Sequence, residues 1–188
     1  MSPKSWIRKL FARTVRTVRT PTPSAARLAL EGLGDRTLPS VVGMVGSALL
    51  VCGDSTNEYY TVDRNLSDGL VNVWSNSNGG AASAWTKVFS VPAAQVSEVR
   101  FGGWGGNDFF EVAPAVGIKA LLYGDGGNDT LIGGHGNDFV DGGDGDDFLS
   151  PGTGVNGTRG GIGYDTPDDT GGTGGYDFDS IEEIRVHG

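Results

Sequence analysis

Beyond residue 40 the apolar residues of this chain fall in short runs, and none of useful length repeats at the 3.6-residue spacing of a helix. Leu70–Trp74, Trp85–Val91, Val96–Phe101 and Ile118–Tyr123 are rich in Val, Phe, Tyr and Trp. They are bounded by Gly, Pro, Asn or Ser, a pattern that predicts strands. Further along, Leu131, Val140 and Leu149 recur every nine residues, and strand alternation turns their neighbours on either side outward. Val41–Val51 (VVGMVGSALLV) reads as a glycine-interrupted strand entering the fold. The alternative is an export-signal apolar region with Cys52 as a lipid-modified residue. It is opposed by the long leader ahead of it and by bulky Val51 at the cleavage position.

The nine-residue spacing belongs to a repeat. Gly124–Ser150 reads GDGGNDTLI, GGHGNDFVD, GGDGDDFLS, each unit a glycine-dense turn with Asp sixth (Asp129, Asp138, Asp147) and an apolar residue eighth. The frame extends both ways. GDSTNEYYTV (Gly53–Val62) and GWGGNDFFEV (Gly103–Val112) align with GDGGNDTLI without gaps, so Glu58, Asp108 and Asp129 share one place. Downstream, PGTGVNGTR (Pro151–Arg159) has Asn156 for Asp and Thr158 for the apolar residue. GGIGYDTPD (Gly160–Asp168) recovers Asp165 but sets Pro167 in a strand place, and GTGGYDFDS (Gly172–Ser180) follows with an offset of three.

These units resemble the hemolysin-type (RTX) calcium-binding repeat family, whose pattern is G-G-x-G-x-D-x-U-x. The resemblance implies an all-β, right-handed parallel β-roll or β-helix in which two nonapeptides complete one 18-residue coil. Turns 18 residues apart then stack. One column holds Asp129, Asp147 and Asp165, with Asp108 one longer step earlier; the other holds Asp138 and Asn156, with Asp177 next. FDSIEEIRV (Phe178–Val186) is similar to the closing rung of the same family, with Ile181, Ile184 and Val186 covering the last edge.

The chemistry of the residues agrees with calcium. Glycines at the first, second and fourth places open backbone paths closed to other residues, which can aim carbonyl oxygens inward, and the Asp adds a carboxylate. Calcium takes six to eight oxygens, while nothing here offers the thiolates or clustered imidazoles that zinc or copper selects. The candidate calcium-site residues are Gly124, Gly126, Asp129, Gly133, His135, Asp138, Gly142, Asp144, Asp147, Asn156 and Asp165, with Ca2+ as cofactor. The Asp129–Asp147 pairing is expected to be the best site, and Asp138–Asn156 weaker for lack of one carboxylate.

Charge sharpens the division of the chain. Of 14 Lys and Arg, eight precede residue 37, opposed there only by Glu31 and Asp35, so a leader of +6 is followed by a body of −15. Such a body does not suit nucleic acid and attracts multivalent cations. Residues 1–40, with TPTP at 20–23, read as a disordered or targeting leader. LEGLGDRTLPS (Leu30–Ser40) resembles the Leu-Glu-x-Leu-Glu-Asp-Arg segment near the start of many large secreted β-rich bacterial proteins, which implies export. Residues 41–123 are expected to form irregular solenoid rungs, and 124–188 the calcium-binding roll with its cap. Cys52 is alone, so no intrachain disulfide can staple the fold, and bound metal is the natural substitute. No apolar run reaches 18 residues.

Other chemistries fit less well. His135 and His187 have no Cys or Ser partner at a suggestive position, and paired acids such as Asp146 and Asp147 are better explained as ligands or solvated groups. Trp74, Trp85 and Trp104 offer a sugar-binding face, although half-buried packing is the commoner fate of such residues. The expected function is calcium binding by an extracellular, non-enzymatic module that folds as calcium binds, structural or surface-associated. The alternative is an adhesive or carbohydrate-binding module using the irregular rungs, with a cell-surface glycan as partner.

Overall fold

The computed structural model describes residues 40–77, 85–168 and 172–177. The leader up to residue 39 and the closing rung at 178–186 lie outside the described residues. Among the described residues fourteen strands form two seven-stranded sheets. One sheet runs β1 (Val41–Val45), β2 (Ala48–Cys52), β6 (Glu98–Gly102), β8 (Lys119–Gly126), β10 (Phe139–Asp144), β12 (Gly154–Ile162), β14 (Gly172–Asp177). The other runs β13 (Thr166–Pro167), β11 (Phe148–Ser150), β9 (Thr130–Ile132), β7 (Phe109–Val112), β3 (Tyr59–Asn65), β4 (Leu70–Asn76), β5 (Trp85–Pro92). From β2 to β14 and from β3 to β13 all neighbours in a sheet are parallel, and the chain alternates between the sheets. This is a β-solenoid.

Strand alternation puts one column of side chains inside from each sheet. Val51, Phe101, Leu122, Val140 and Thr158 are in register on one side. Tyr60, Phe110, Leu131, Leu149 and Pro167 are in register on the other. Both columns taper from aromatic to small or polar. At the wide end Phe101 and Phe110 stack with ring centroids 4.4 Å apart. A second layer (Leu49, Val99 and Ala120 facing Val62 and Val112) exists only in the early coils. That layer explains the coil lengths. The step from Asp108 to Asp129 is 21 residues and later steps are 18, because the longer strands of the earlier coil each carry two inward residues.

The N-terminal end departs from coil geometry. Val41–Val51, expected as one strand, lies in a β1–β2 hairpin (Val41–Cys52) turned at Gly46, which has φ 64°. Cys52 is buried at its end with its thiol pushed up to about 12, first by burial and then by Asp125, so it is a packing residue. The segment from Tyr59 to Pro92 is an antiparallel β3–β4–β5 meander rather than a rung, which is why Glu58 and Asp108 are 50 residues apart yet adjacent in space. Opposite the acidic turns, 3-10 turns at Ala93–Gln95 and Pro114–Val116, each led by a proline, close the early coils over Val96 and Val116.

At the other end β12 and β14 stay in the 18-residue register, pairing Asn156 with Gly174 and Arg159 with Asp177. The expected offset of three does not occur, and Asp177 does not continue the Asn156 column. Pro167 sits on β13, the last strand of its sheet among the described residues, where a missing N–H is tolerated.

The taper predicts unequal stability. In calcium-free protein, limited proteolysis read by mass spectrometry is expected to cut first between residues 130 and 168, while 98–123 resists. Early cuts within 98–112 would contradict this.

Candidate metal centre

The acidic turns 53–58, 103–108, 124–129, 142–147 and 160–165 stack on one side of the solenoid, and the acidic turn 133–138 and its Asn156-bearing counterpart 151–156 on the other. The backbone dictates the glycines. The second place takes positive φ in every turn from 103–108 onward, including Trp104 (76°) and Asp125 (71°), as does the fourth in most turns, while Asp54 in turn 53–58 does not. At Gly127 (φ 120°) a Cβ would collide with the Gly106 carbonyl of the neighbouring coil, so the coils stack backbone on backbone.

The sixth-place side chains build a ladder. Each Oδ1 accepts a hydrogen bond from the sixth-place N–H of the coil before it: Glu58 N–H to Asp108, Asp108 to Asp129 and Asp129 to Asp147 (2.8 Å each), and Asp147 to Asp165 (3.1 Å). On the opposite side Ala120 N–H donates to Asp138 (2.7 Å) and Asp138 N–H to Asn156 Oδ1 (2.9 Å). A second ladder at the fifth place runs the other way. Each later coil's N–H donates to the earlier side chain: Asn107 to Asn57, Asn128 to Asn107, Asp146 to Asn128, Tyr164 to Asp146, and Val155 to Asn137. The fifth-place residues had no role in the expected site. Their signal was the Asn that precedes the acid in GDSTNE, GWGGND, GDGGND and GGHGND.

The other carboxylate oxygen of each acid is an orphan. Oδ2 of Asp108, Asp129, Asp138, Asp147 and Asp165, and Oε2 of Glu58, are buried without a hydrogen-bond partner. At Gly124 a Cβ would collide with Asp129 Oδ2 and lie 2.5 Å from the Gly142 carbonyl of the next coil, so an orphaned carboxylate oxygen and a backbone carbonyl converge there. Gly142 repeats this with Asp147 Oδ2 and the Gly160 carbonyl. Burial pushes the carboxyl groups of Asp129 and Asp138 up to about 6. Burial, then the neighbouring Asp129 and Asp165 charges, pushes Asp147 up to about 8. Glu58, Asp108 and Asp165 are raised too, again chiefly by burial.

Asn156 is the internal control. Its Oδ1 fills the ladder position, and its Nδ2, where an Asp has the orphan oxygen, donates to the Gly152 carbonyl at 2.7 Å. An amide closes the turn on its own. A carboxylate in the same place needs a proton or a cation.

The candidate residues therefore divide. Asp129, Asp147 and Asp165 fall in one column and Asp138 and Asn156 in the other, all buried. Gly124, Gly133 and Gly142 hold the first place beside the carboxylates, and Gly126 the third. His135 and Asp144 also occupy third places but are exposed, His135 in a backbone bridge to Thr153. No three His, Cys, Asp or Glu side chains among the described residues converge as a metal cluster. A cation here would be held by one or two carboxylates together with backbone carbonyls, the oxygen donors that a hard cation takes.

The fold thus defines a parallel β-solenoid with stacked acidic turns. Residues 121–156 match the family model of the RTX calcium-binding nonapeptide repeat, in four copies, and RTX nonapeptide repeats bind Ca2+. No curated protein and no solved structure matches the chain.

The raised carboxyls fix a pH dependence. An acid whose folded pKa exceeds its unfolded value, near 4, contributes stability fully below about pH 4 and loses it as pH rises through the folded value. For Asp129 and Asp138 the loss runs from about pH 4 to about 6, and for Asp147 from about pH 4 to about 8. Calcium-free protein is expected to hold more β structure by far-UV circular dichroism at about pH 5 than at about pH 8.5. Calcium should abolish the difference. Stability that is flat or rises with pH in calcium-free protein would contradict the assignment.

Proposed function

We propose that the chain is an exported, non-enzymatic module whose C-terminal repeats fold as calcium binds, in a structural or surface-associated role. The orphaned Oδ2 atoms carry this reading, with Asn156 as the exception that closes its turn by an amide. Each nonapeptide buries one medium side chain, worth about 2 kcal/mol. That is well short of the conformational entropy lost by nine residues. Calcium supplies the difference by cancelling repulsion between stacked carboxylates, so binding and folding become one event. Extracellular calcium modules bind at roughly 10⁻⁴–10⁻³ M, which an external milieu satisfies and a cytosol does not. Among the described residues no helix is long and apolar enough to cross a membrane.

Titrating calcium into calcium-free protein is expected to raise the β signal, and no gain up to about 10 mM would sink the proposal. Calorimetry on variants tests the register. Asp147→Ala, which removes a carboxylate flanked by Asp129 and Asp165, is expected to weaken affinity more than Asp165→Ala, and the reverse order would overturn the stacking.

An adhesive role has one observation in its favour. Trp85 and Tyr59 both pack against Phe109, with ring centroids 6.5 Å from it. Trp74 is occupied otherwise, its Nε1 donating to Asp63 and its ring under Lys87, and Trp104 lies in an acidic turn. Glycan-array binding lost in Trp85→Ala would favour adhesion.

A further inference from the structure

We infer that Asn156–Gly157 is a deamidation site, shut while the repeats are folded and open when calcium is withdrawn. Its product is the sixth-place carboxylate that turn 151–156 lacks. The inference rests on the calcium reading of the repeats and goes beyond it, because the change is covalent and outlasts the calcium-free interval. Asn-Gly is the dipeptide in which this chemistry is fastest, since glycine leaves its nitrogen unhindered and admits the backbone turn that ring closure needs. Among the described residues Asn156–Gly157 is the only such pair. It falls where turns 103–108, 124–129, 133–138, 142–147 and 160–165 all have Asp.

The reaction needs only water. The Gly157 nitrogen attacks Asn156 Cγ and gives up its proton to solvent. The side-chain nitrogen takes up a proton and leaves as ammonia, and a five-membered succinimide closes. Water then opens the ring. Breaking the newly formed bond to Cγ leaves an aspartate in an ordinary backbone, while breaking the bond to the main-chain carbonyl leaves isoaspartate, with one extra carbon in the chain.

The folded coil blocks the first step in three ways. β12 is extended through both residues, which turns the Gly157 nitrogen away from Cγ. The Gly157 N–H donates to the Asp138 carbonyl at 2.9 Å, so the nucleophile is engaged. The amide is held at both ends, Oδ1 accepting from Asp138 N–H and Nδ2 donating to the Gly152 carbonyl, and the residue is 7% exposed. Reaction therefore requires local opening. The inward residue of β12 is Thr158, where earlier coils have Val140, Leu122 or Phe101, so little apolar burial opposes opening here.

The product alters what the coil requires. An oxygen in place of Nδ2 would face the Gly152 carbonyl with no proton between them, so a turn that closes on its own would come to need a proton or a cation. It would also give Asp138 a second carboxylate in its column, one coil away. Chains that react while calcium is absent would thus refold their last coils only when it returns. Isoaspartate would instead spoil the β12 register, where Asn156 and Gly157 pair with Gly174 and Gly175 and a Cβ on Gly174 would collide with the Asn156 carbonyl.

Site-resolved mass spectrometry on the full-length chain, held in mildly alkaline buffer with and without calcium, tests this. Calcium at about 100 times its Kd should slow Asn156 deamidation roughly 100-fold, because the open population falls in that proportion. Gly157→Ala, whose Cβ would press only on the Phe139 ring at 3.1 Å, should lose most of the calcium-free reaction, an effect that does not need the variant to fold. By calorimetry and circular dichroism, Asn156→Asp should bind calcium more tightly than wild type and hold less β signal without it. Equal rates with and without calcium, in protein that calorimetry shows to bind calcium, would overturn the gating alone. Unchanged affinity and unchanged calcium-free β signal in Asn156→Asp would overturn the conversion. Wild-type protein that binds no calcium would overturn the calcium reading itself, and this inference with it.

Discussion

A buried carboxylate with one oxygen satisfied and one left over is the constraint on which the rest depends. The satisfied oxygen joins coil to coil through a backbone N–H, so the acid cannot be removed without opening the stack. The unsatisfied oxygen makes the same stack unfavourable at neutral pH unless something positive joins it. Structure and cation dependence thus reside in the two oxygens of one side chain. The glycine at the first place follows from this, since a Cβ there would occupy the space of the second oxygen.

The tapering core decides where that dependence bites. Where Phe101 and Phe110 stack and a second apolar layer lies beside them, hydrophobic burial holds the coil. Where the inward residues shrink to Val140, Leu149 and then Thr158, burial alone is too small. One chain therefore contains coils with a two-layer apolar core and coils with a thinner one, joined without a linker because both share sheets and hydrogen-bond ladders.

Much of this was legible in the residues. The nine-residue period exposed the turns, the inward eighth place and the acidic columns, because each recurs at a fixed local spacing. The gapless match of Gly53–Val62, Gly103–Val112 and Gly124–Ile132 reached across 50 residues to place Glu58 beside Asp108. The β1–β2 hairpin and the β3–β5 meander stayed hidden. Val41–Cys52 and Leu70–Pro92 look like strand runs whichever way they pair, and direction is set by non-local partners. The Asp177 assignment failed because the similarity of GTGGYDFDS to the repeat suggested a shift that the β12–β14 pairing does not make. The fifth-place ladder went unread because Asn beside Asp looks like turn composition until the backbone shows its partner.

That ladder has a direction. A finished coil presents to the next one an acceptor on its fifth side chain and a donor on its sixth N–H, so it acts as a template for addition at one end. An incoming coil needs only its own fifth N–H and a sixth-place acceptor to join, and a fifth-place amide or carboxylate to be copied in turn. Val155 and Tyr164 join in this way, donating to Asn137 and Asp146, but carry no side-chain carbonyl to pass on. In the language of polymer growth they accept a link and offer none, so the fifth-place ladder ends at them while the sheet itself continues, β14 still pairing with β12.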